Sequence, residues 1–294
     1  MKNLSLLILA WVLPVCTLFS QVSINTDGSA PNGSAILDLK SESKGLLLPR
    51  MTILQRDAIS DPAAGLMIFN LSTHEMNLFN GTNWLKMDGS IAPPWTCGDN
   101  LTDDRDGRVY HTVLINTQCW MKENLNIGEY KPAPYVQQTN NSTIEKYCFG
   151  NDTSLCHIYG GLYQWDEMMQ YVTTSGAQGI CPNGFHLPTT TEWEAIVTYL
   201  GGAYFTGGAL KEAGTDHWAA PNTNASNSTG FTALPGGWGG PMGFIYVNYT
   251  GVYWTSSEVG TTVAHSRSMQ ATSSFLEYGE AIKTNSCSVR CLKN

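Results

Sequence analysis

Eight cysteines stand in this chain, and seven of them lie between residues 97 and 291. Their redox state decides what the chain can fold into, and the N-terminus decides their redox state. Lys2 gives a short positive start, residues 4–15 are apolar except for Ser5 and Pro14, and small Ser20 precedes Gln21. That layout reads as a cleavable export signal over residues 1–21, which would carry Cys16 away with it. The stretch is too short to span a bilayer, and no later apolar run reaches about 18 residues, so no membrane insertion is expected after cleavage. Val15 occupies the position where a lipoprotein signal needs a small residue. Export to an oxidising compartment makes disulfides the expected state of the remaining seven, and the absence of a CxxC pair disfavours a zinc ribbon or a thioredoxin-type site. Seven is odd, so at least one thiol is left over. Three bridges can be drawn in about 105 ways, and spacing alone does not choose among them.

Charged residues make up 14% of the chain, with Lys plus Arg at 16 and Asp plus Glu at 24. The net charge of -8 repels a phosphate backbone and anionic lipid headgroups, so no nucleic-acid partner is expected. Hydrophobic residues at 42% are ample for a buried core.

The composition changes near residue 90. Residues 22–90 read as a small β-rich module of short apolar clusters between turn formers, without a cysteine. Within it Thr52 is positioned to cap a short helix over residues 53–59, which Asp61-Pro62 ends. Residues 65–70 and 76–80 look like a hairpin. A module with so few apolar anchors is marginal alone, and self-association through it is the expectation. Residues 91–96 hold Pro93-Pro94 and read as a stiff linker. From 97 to 294 the chain is aromatic-rich and glycine-rich and carries every remaining cysteine. A half-buried strand is expected over 109–115 and a short amphipathic helix over 161–171. The clearest helix is 190–200, where Thr189 and Glu192 form a capping box and Gly201-Gly202 ends it. Beyond 207 the pattern predicts mostly loops and short strands, with 253–256 and 287–292 the best strand candidates.

Residues 97–294 resemble the Fibrobacter succinogenes major paralogous domain. Asp106-Gly107-Arg108-Val109-Tyr110, Gln118-Cys119-Trp120-Met121 and Tyr159-Gly160-Gly161-Leu162-Tyr163 carry the likeness. It continues through Cys181-Pro182-Asn183-Gly184-Phe185-His186-Leu187-Pro188, Leu234-Pro235-Gly236-Gly237, Tyr253-Trp254-Thr255-Ser256 and Ser288-Val289-Arg290-Cys291. Residues 22–90 are similar to N-terminal stalk segments of Bacteroidetes fibre-like surface proteins, through Ala35-Ile36-Leu37-Asp38 and Leu48-Pro49-Arg50-Met51-Thr52. The major paralogous domain is in turn similar to the C-type-lectin-like and formylglycine-generating-enzyme group. The resemblance implies an α+β fold: a C-type-lectin-like, loop-rich, disulfide-stapled head preceded by the small β-rich module. It also implies the pairs Cys97 with Cys119, Cys148 with Cys156 and Cys181 with Cys291, leaving Cys287 over.

Several constellations resolve into ordinary structure on inspection. Asp99, Asp103, Asp104 and Asp106-Gly107 suggest a calcium loop, yet Thr102 and Val113 occupy the first and twelfth positions, where an EF-hand needs acidic residues. Asn151, Asp152, Asp166 and Glu167 offer oxygen ligands, but such residues are also routine turn chemistry. The six histidines form no HExxH pair, and no GxSxG is present. Cys287 and Cys291 invite a copper-oxidase reading, but Cys291 belongs to the closing structural motif. The positive lead is aromatic: Trp238, Tyr246, Tyr249 and Tyr253 fall in a glycine-rich stretch where rings can stack on sugars or peptides. The expectation is therefore a secreted or cell-surface protein, extracellular or periplasmic. It would act by non-catalytic binding or adhesion to a glycan or protein ligand, with no cofactor, no catalytic residue and no metal. The alternatives are a structural fibre component without a small ligand and a copper-dependent oxidase.

Overall fold

The computed structural model describes residues 21–132 and 137–294. The export signal expected at the N-terminus falls, but for residue 21, outside the described residues. Among those described, no helix is long and apolar enough to cross a membrane. The described residues form two compact units, divided between Leu48 and Pro49.

In the first unit Val22–Ile24 pairs in parallel with Leu37–Leu39. Asn25 organises the return of the chain: its side chain donates to Ser29 O at 2.7 Å and accepts from Gly28 N at 2.9 Å. Polar side chains of this kind mimic a backbone turn.

The second unit opens with a four-stranded sheet in the order Arg50–Met51, Met67–Asn70, Glu75–Phe79, Trp84–Lys86. Thr52 caps the helix Ile53–Asp57, and Gln55 returns a bond to the Thr52 N–H at 2.7 Å. That helix delivers Arg56 into the interior, where its guanidinium donates to Asn77 Oδ1 and Pro93 O and lies 5.8 Å from the Trp84 ring. Residues 91–96 are bonded along their length: Ala92 N–H reaches Trp84 O, and Trp95 N–H reaches Asp57 Oδ2. Trp95 then meets Phe185 edge-on at 5.8 Å.

Three sheets of three or four strands, with two two-stranded pairings, build the rest of the described unit. One runs Phe185–His186, Leu292–Lys293, Gln118–Met121, Thr112–Ile115, so the first strands of the region lie beside its last. A second runs Tyr163–Gln164, Ser286–Cys287, Trp238–Gly240, Gly243–Ile245. The third holds the longest strands, Thr250–Glu258, Val263–Gln270 and Glu277–Ile282. The helices Thr190–Tyr199 and Ala203–Leu210 accompany them, the former closed by the Thr189–Glu192 capping box. The architecture is strand-rich α+β.

Two large cores lie inside this unit, beside a small one of Ile68, Trp84 and Ala92. One gathers Trp165, Trp254, Met168, Phe185 and Leu187 around the buried Cys181 and Cys291. The other gathers Trp120, Trp193, Trp218, Phe231 and Tyr253, with the Trp120 and Trp193 rings 4.8 Å apart. Disulfides join Cys97 to Cys119, Cys148 to Cys156 and Cys181 to Cys291, the last across 110 residues; Cys287 is free and buried.

Three local expectations are corrected. The helix expected over 161–171 shrinks to Trp165–Met168, because Tyr163–Gln164 is drawn into antiparallel pairing with Ser286–Cys287, and Gln170 and Tyr171 adopt left-handed φ of 52° and 60°. The strand expected over 109–115 breaks at His111, since Val109–Tyr110 pairs with Leu101–Thr102 while Thr112–Ile115 pairs with Gln118–Met121. The region past 207 contains strands of nine and eight residues rather than only short ones. Their glycine, serine and threonine content hides them from a search for apolar alternation.

Candidate functional site

Register fixes which side chains share a face of the third sheet. Thr250 and Val252 stand opposite Gln270 and Ser268, and Ser266 and Ser268 stand opposite Gly279 and Glu277. Paired residues point the same way and neighbours alternate, so these groups form one face, while Tyr253, Arg267 and Met269 point to the other. The hairpin of Trp238–Gly240 and Gly243–Ile245 stands beside the first face and adds the half-buried Trp238. Its close approach depends on Gly237, at φ 65°, where a Cβ would sit 2.5 Å from Ile245 O.

Two depressions result. One, of 440 Å³, is lined by Trp238, Tyr246, Thr250, Ser268, Gln270 and Asn285 among others. The other, of 330 Å³, is lined by Tyr246, Tyr249, Thr250, Gln270, Ala271 and Thr272. Tyr246, Thr250 and Gln270 belong to both, so the two make one groove.

The groove is oxygen-rich and, among the described residues, carries no cationic side chain. Glu277 accepts from Ser268 Oγ at 2.9 Å and from Gln270 Nε2 at 2.8 Å. With those donors committed, Ser268 and Gln270 present mainly acceptor oxygens to an incoming ligand. Among the described residues neither depression is lined by a lysine or arginine, and the acid on this face is Glu277, which holds Ser268 and Gln270. Tyr246 is exposed and held at φ 64°, a left-handed backbone that costs a non-glycine residue about 1 kcal/mol. Strain of this kind concentrates at ligand sites. Cys287 borders the larger depression but is buried, and burial pushes its thiol well above the ordinary range, which leaves it an inert side chain.

Of the four aromatic residues singled out in the sequence, the structure brings Trp238, Tyr246 and Tyr249 to the groove. Tyr253 is a correction: it is fully buried, its hydroxyl donates to Leu234 O at 3.1 Å, and its ring packs against Trp193 and Phe231. The residues that sequence reasoning missed are Thr250, Ser268, Gln270 and Glu277. Their signal was the polar alternation of Ser266, Ser268 and Gln270 with Arg267 and Met269.

The acidic clusters are engaged by the protein itself. Asp103 receives Arg105 at 2.7 Å, Asp104 receives Gln55 Nε2 at 2.6 Å, and Asp99 receives the Thr96 N–H at 2.8 Å. Asp152 caps the helix Thr153–Tyr159 through the Ser154 N–H, while Glu167 accepts from Glu145 N and Tyr171 Oη. Among the described residues no group of three histidines, cysteines or acids is arranged to hold a metal ion. Cys291, the partner a copper pair would need beside Cys287, is bonded to Cys181.

Residues 113–293, more than half of the chain, match the Fibrobacter succinogenes major domain. The chain belongs to that family. Its Fibrobacter succinogenes major domain thus starts within the strand Thr112–Ile115 and closes on Leu292–Lys293 of the same sheet, with Gln118–Met121 between them, and it contains the whole groove. Residues 23–101 are similar to the phage tail like trimerisation region. No curated protein and no solved structure matches the chain.

Proposed function

We propose that this is an exported surface protein that acts by binding rather than catalysis. Its C-type-lectin-like head takes a neutral glycan in the groove between Trp238, Tyr246 and the Gln270 edge of the third sheet. One observation carries the reading: aromatic rings flank a floor of fixed acceptor oxygens with no cationic side chain. A sugar ring offers an apolar face for the aromatics and hydroxyl donors for the acceptors, while an anionic ligand would meet the Glu277 carboxylate behind Ser268 and Gln270 without a compensating cation. The pairing of first and last strands, with Cys181 bonded to Cys291 at their base, supports the lectin-like description. We further infer that the chain works as an oligomer assembled through its N-terminal region. The similarity of residues 23–101 to a trimerisation region supports this.

The test is a glycan and peptide array probed with the folded, oxidised protein. Neutral oligosaccharides are expected to bind, and Gln270→Ala or Trp238→Ala is expected to weaken binding at least about tenfold. Tyr246→Gly separates function from folding: it removes a groove ring and relieves left-handed strain, so affinity should fall while the melting temperature holds or rises. Binding unaffected by all three substitutions would place the ligand elsewhere. A response confined to peptides would replace the glycan with a protein ligand.

A further inference from the structure

In residues 21–48 the usual arrangement of a surface strand pair is inverted. The parallel register sets Val22 opposite Leu37 and Ile24 opposite Leu39, which puts all four on one face, with Ser23 and Asp38 on the other. The apolar four are exposed, from 42% for Leu39 to 62% for Ile24, whereas Ser23 and Asp38 are partly covered. The polar side is internally satisfied: Ser23 Oγ accepts from Asn25 Nδ2 at 2.6 Å, and Asp38 Oδ2 accepts from Asn32 N at 2.9 Å. Ile36, Leu46 and Leu47 expose further apolar surface in the same unit.

A two-stranded sheet with its greasy side in water does not hold itself together. Fewer than about 40 residues rarely fold without disulfides, metals or association, and residues 21–48 contain no cysteine. Strand pairs of this size need a third strand or a packed face to persist. The covering surface must therefore come from outside this segment.

We propose that the face formed by Val22, Ile24, Leu37 and Leu39 is the seam on which two further copies of this chain pack, so that three such faces meet around one axis. The proposal rests on the oligomeric reading above and names its surface. The face is uncharged, so identical copies meet without like-charge repulsion. The nearby ions are already paired, Lys40 with Asp27 at 2.6 Å. The four exposed side chains of the face form a contiguous aliphatic strip, and an exposed apolar patch of this kind marks an association site.

The test uses the full exported chain in analytical ultracentrifugation over a range of concentrations, with head integrity followed by near-UV circular dichroism. A trimer is expected. Ile24→Asp combined with Leu37→Asp should raise its dissociation midpoint at least about tenfold while the near-UV signal stays unchanged. Ser23→Asp, on the opposite face, should leave the trimer intact. As a second readout, Ile24→Cys should form interchain disulfides under mild oxidation and Ser23→Cys should not. A trimer that survives the double substitution, or one that Ser23→Asp disrupts equally, overturns the seam while the oligomeric reading stands. A chain that is monomeric at every concentration overturns both.

Discussion

Arg290 carries its charge at 0% exposure, and among the described residues no carboxylate pairs with it. Its fork is instead filled by neutral oxygens: Nε donates to Asn124 Oδ1, Nη1 to the carbonyls of Met121 and Phe231, and Nη2 to Thr232 O. The guanidinium lies flat enough to sit 4.3 Å from the Phe231 ring centre. Only arginine offers a planar, five-donor group that can tie residues 121–124 and 231–232 to its own segment while stacking on an aromatic ring. Arg290→Met should therefore lower stability by about 3 kcal/mol or more, since it strands buried acceptors, with Arg290→Lys losing somewhat less. Urea midpoints of the oxidised protein measure both. A loss below about 1 kcal/mol would show that water enters and replaces the guanidinium. At this scale the sequence was only half legible. The closing Ser288-Val289-Arg290-Cys291 motif marks a special place, but the oxygens that receive Arg290 come from residues 121, 124, 231 and 232, and no local pattern announces them. The tyrosines show the same limit. Tyr246 and Tyr253 look alike in a glycine-rich stretch, and their fates separate because Tyr253 falls on the core-facing positions of the strand Thr250–Glu258.

Among the elements, the helix Thr190–Tyr199 was legible because everything that starts and stops it is within a few residues. Thr189 and Glu192 exchange bonds at its N-terminus, and Gly201 follows its end at φ 83°. The capping carboxylate also serves His186, whose Nε2 lies 2.8 Å from Glu192 Oε1. That bond raises His186 above the ordinary histidine value of 6.5. Burial pushes Glu192 up, but hydrogen bonds from His186 and Thr189 outweigh it and hold the carboxyl below its ordinary 4.5. The histidine contribution to stability is complete below about pH 6.5 and is lost as pH rises through the raised value. The glutamate contribution is present above about pH 4.5 and is lost as pH falls through the lowered one. Glu192→Gln keeps a capping amide but removes the charge. It should therefore flatten the fall in melting temperature between pH 6 and pH 9 relative to the parent protein, and an unchanged slope would exclude this pair as its source. The strand Tyr163–Gln164 was illegible for the opposite reason. Its apolar spacing reads as helix, and only the distant Ser286–Cys287 turns it into sheet.

Across the whole molecule, covalent closure compensates for long irregular excursions. The Cys181–Cys291 bond spans 110 residues and Cys148–Cys156 spans 8. In the chain-entropy picture their removal should lower stability by roughly 4.8 and roughly 2.6 kcal/mol. Replacing each pair with alanines and comparing denaturation midpoints tests the ratio, and equal losses would count against closure of the long loop as the main term. The α+β class was legible through the family likeness, and so were the partners of each bonded cysteine; spacing alone left them open. The groove was legible only in its aromatics, because its oxygen-bearing floor exists through the register of strands that the sequence does not pair. Cys287 adds a consequence for biogenesis. A seventh thiol, four residues from Cys291, competes for Cys181 while the bonds form, and the wrong bond would drag the last strand out of step with Gln118–Met121. Correct maturation therefore asks that Cys287 be buried in its pairing with Tyr163 before the final bond closes. The order of burial and oxidation is thereby written into the C-terminal eight residues.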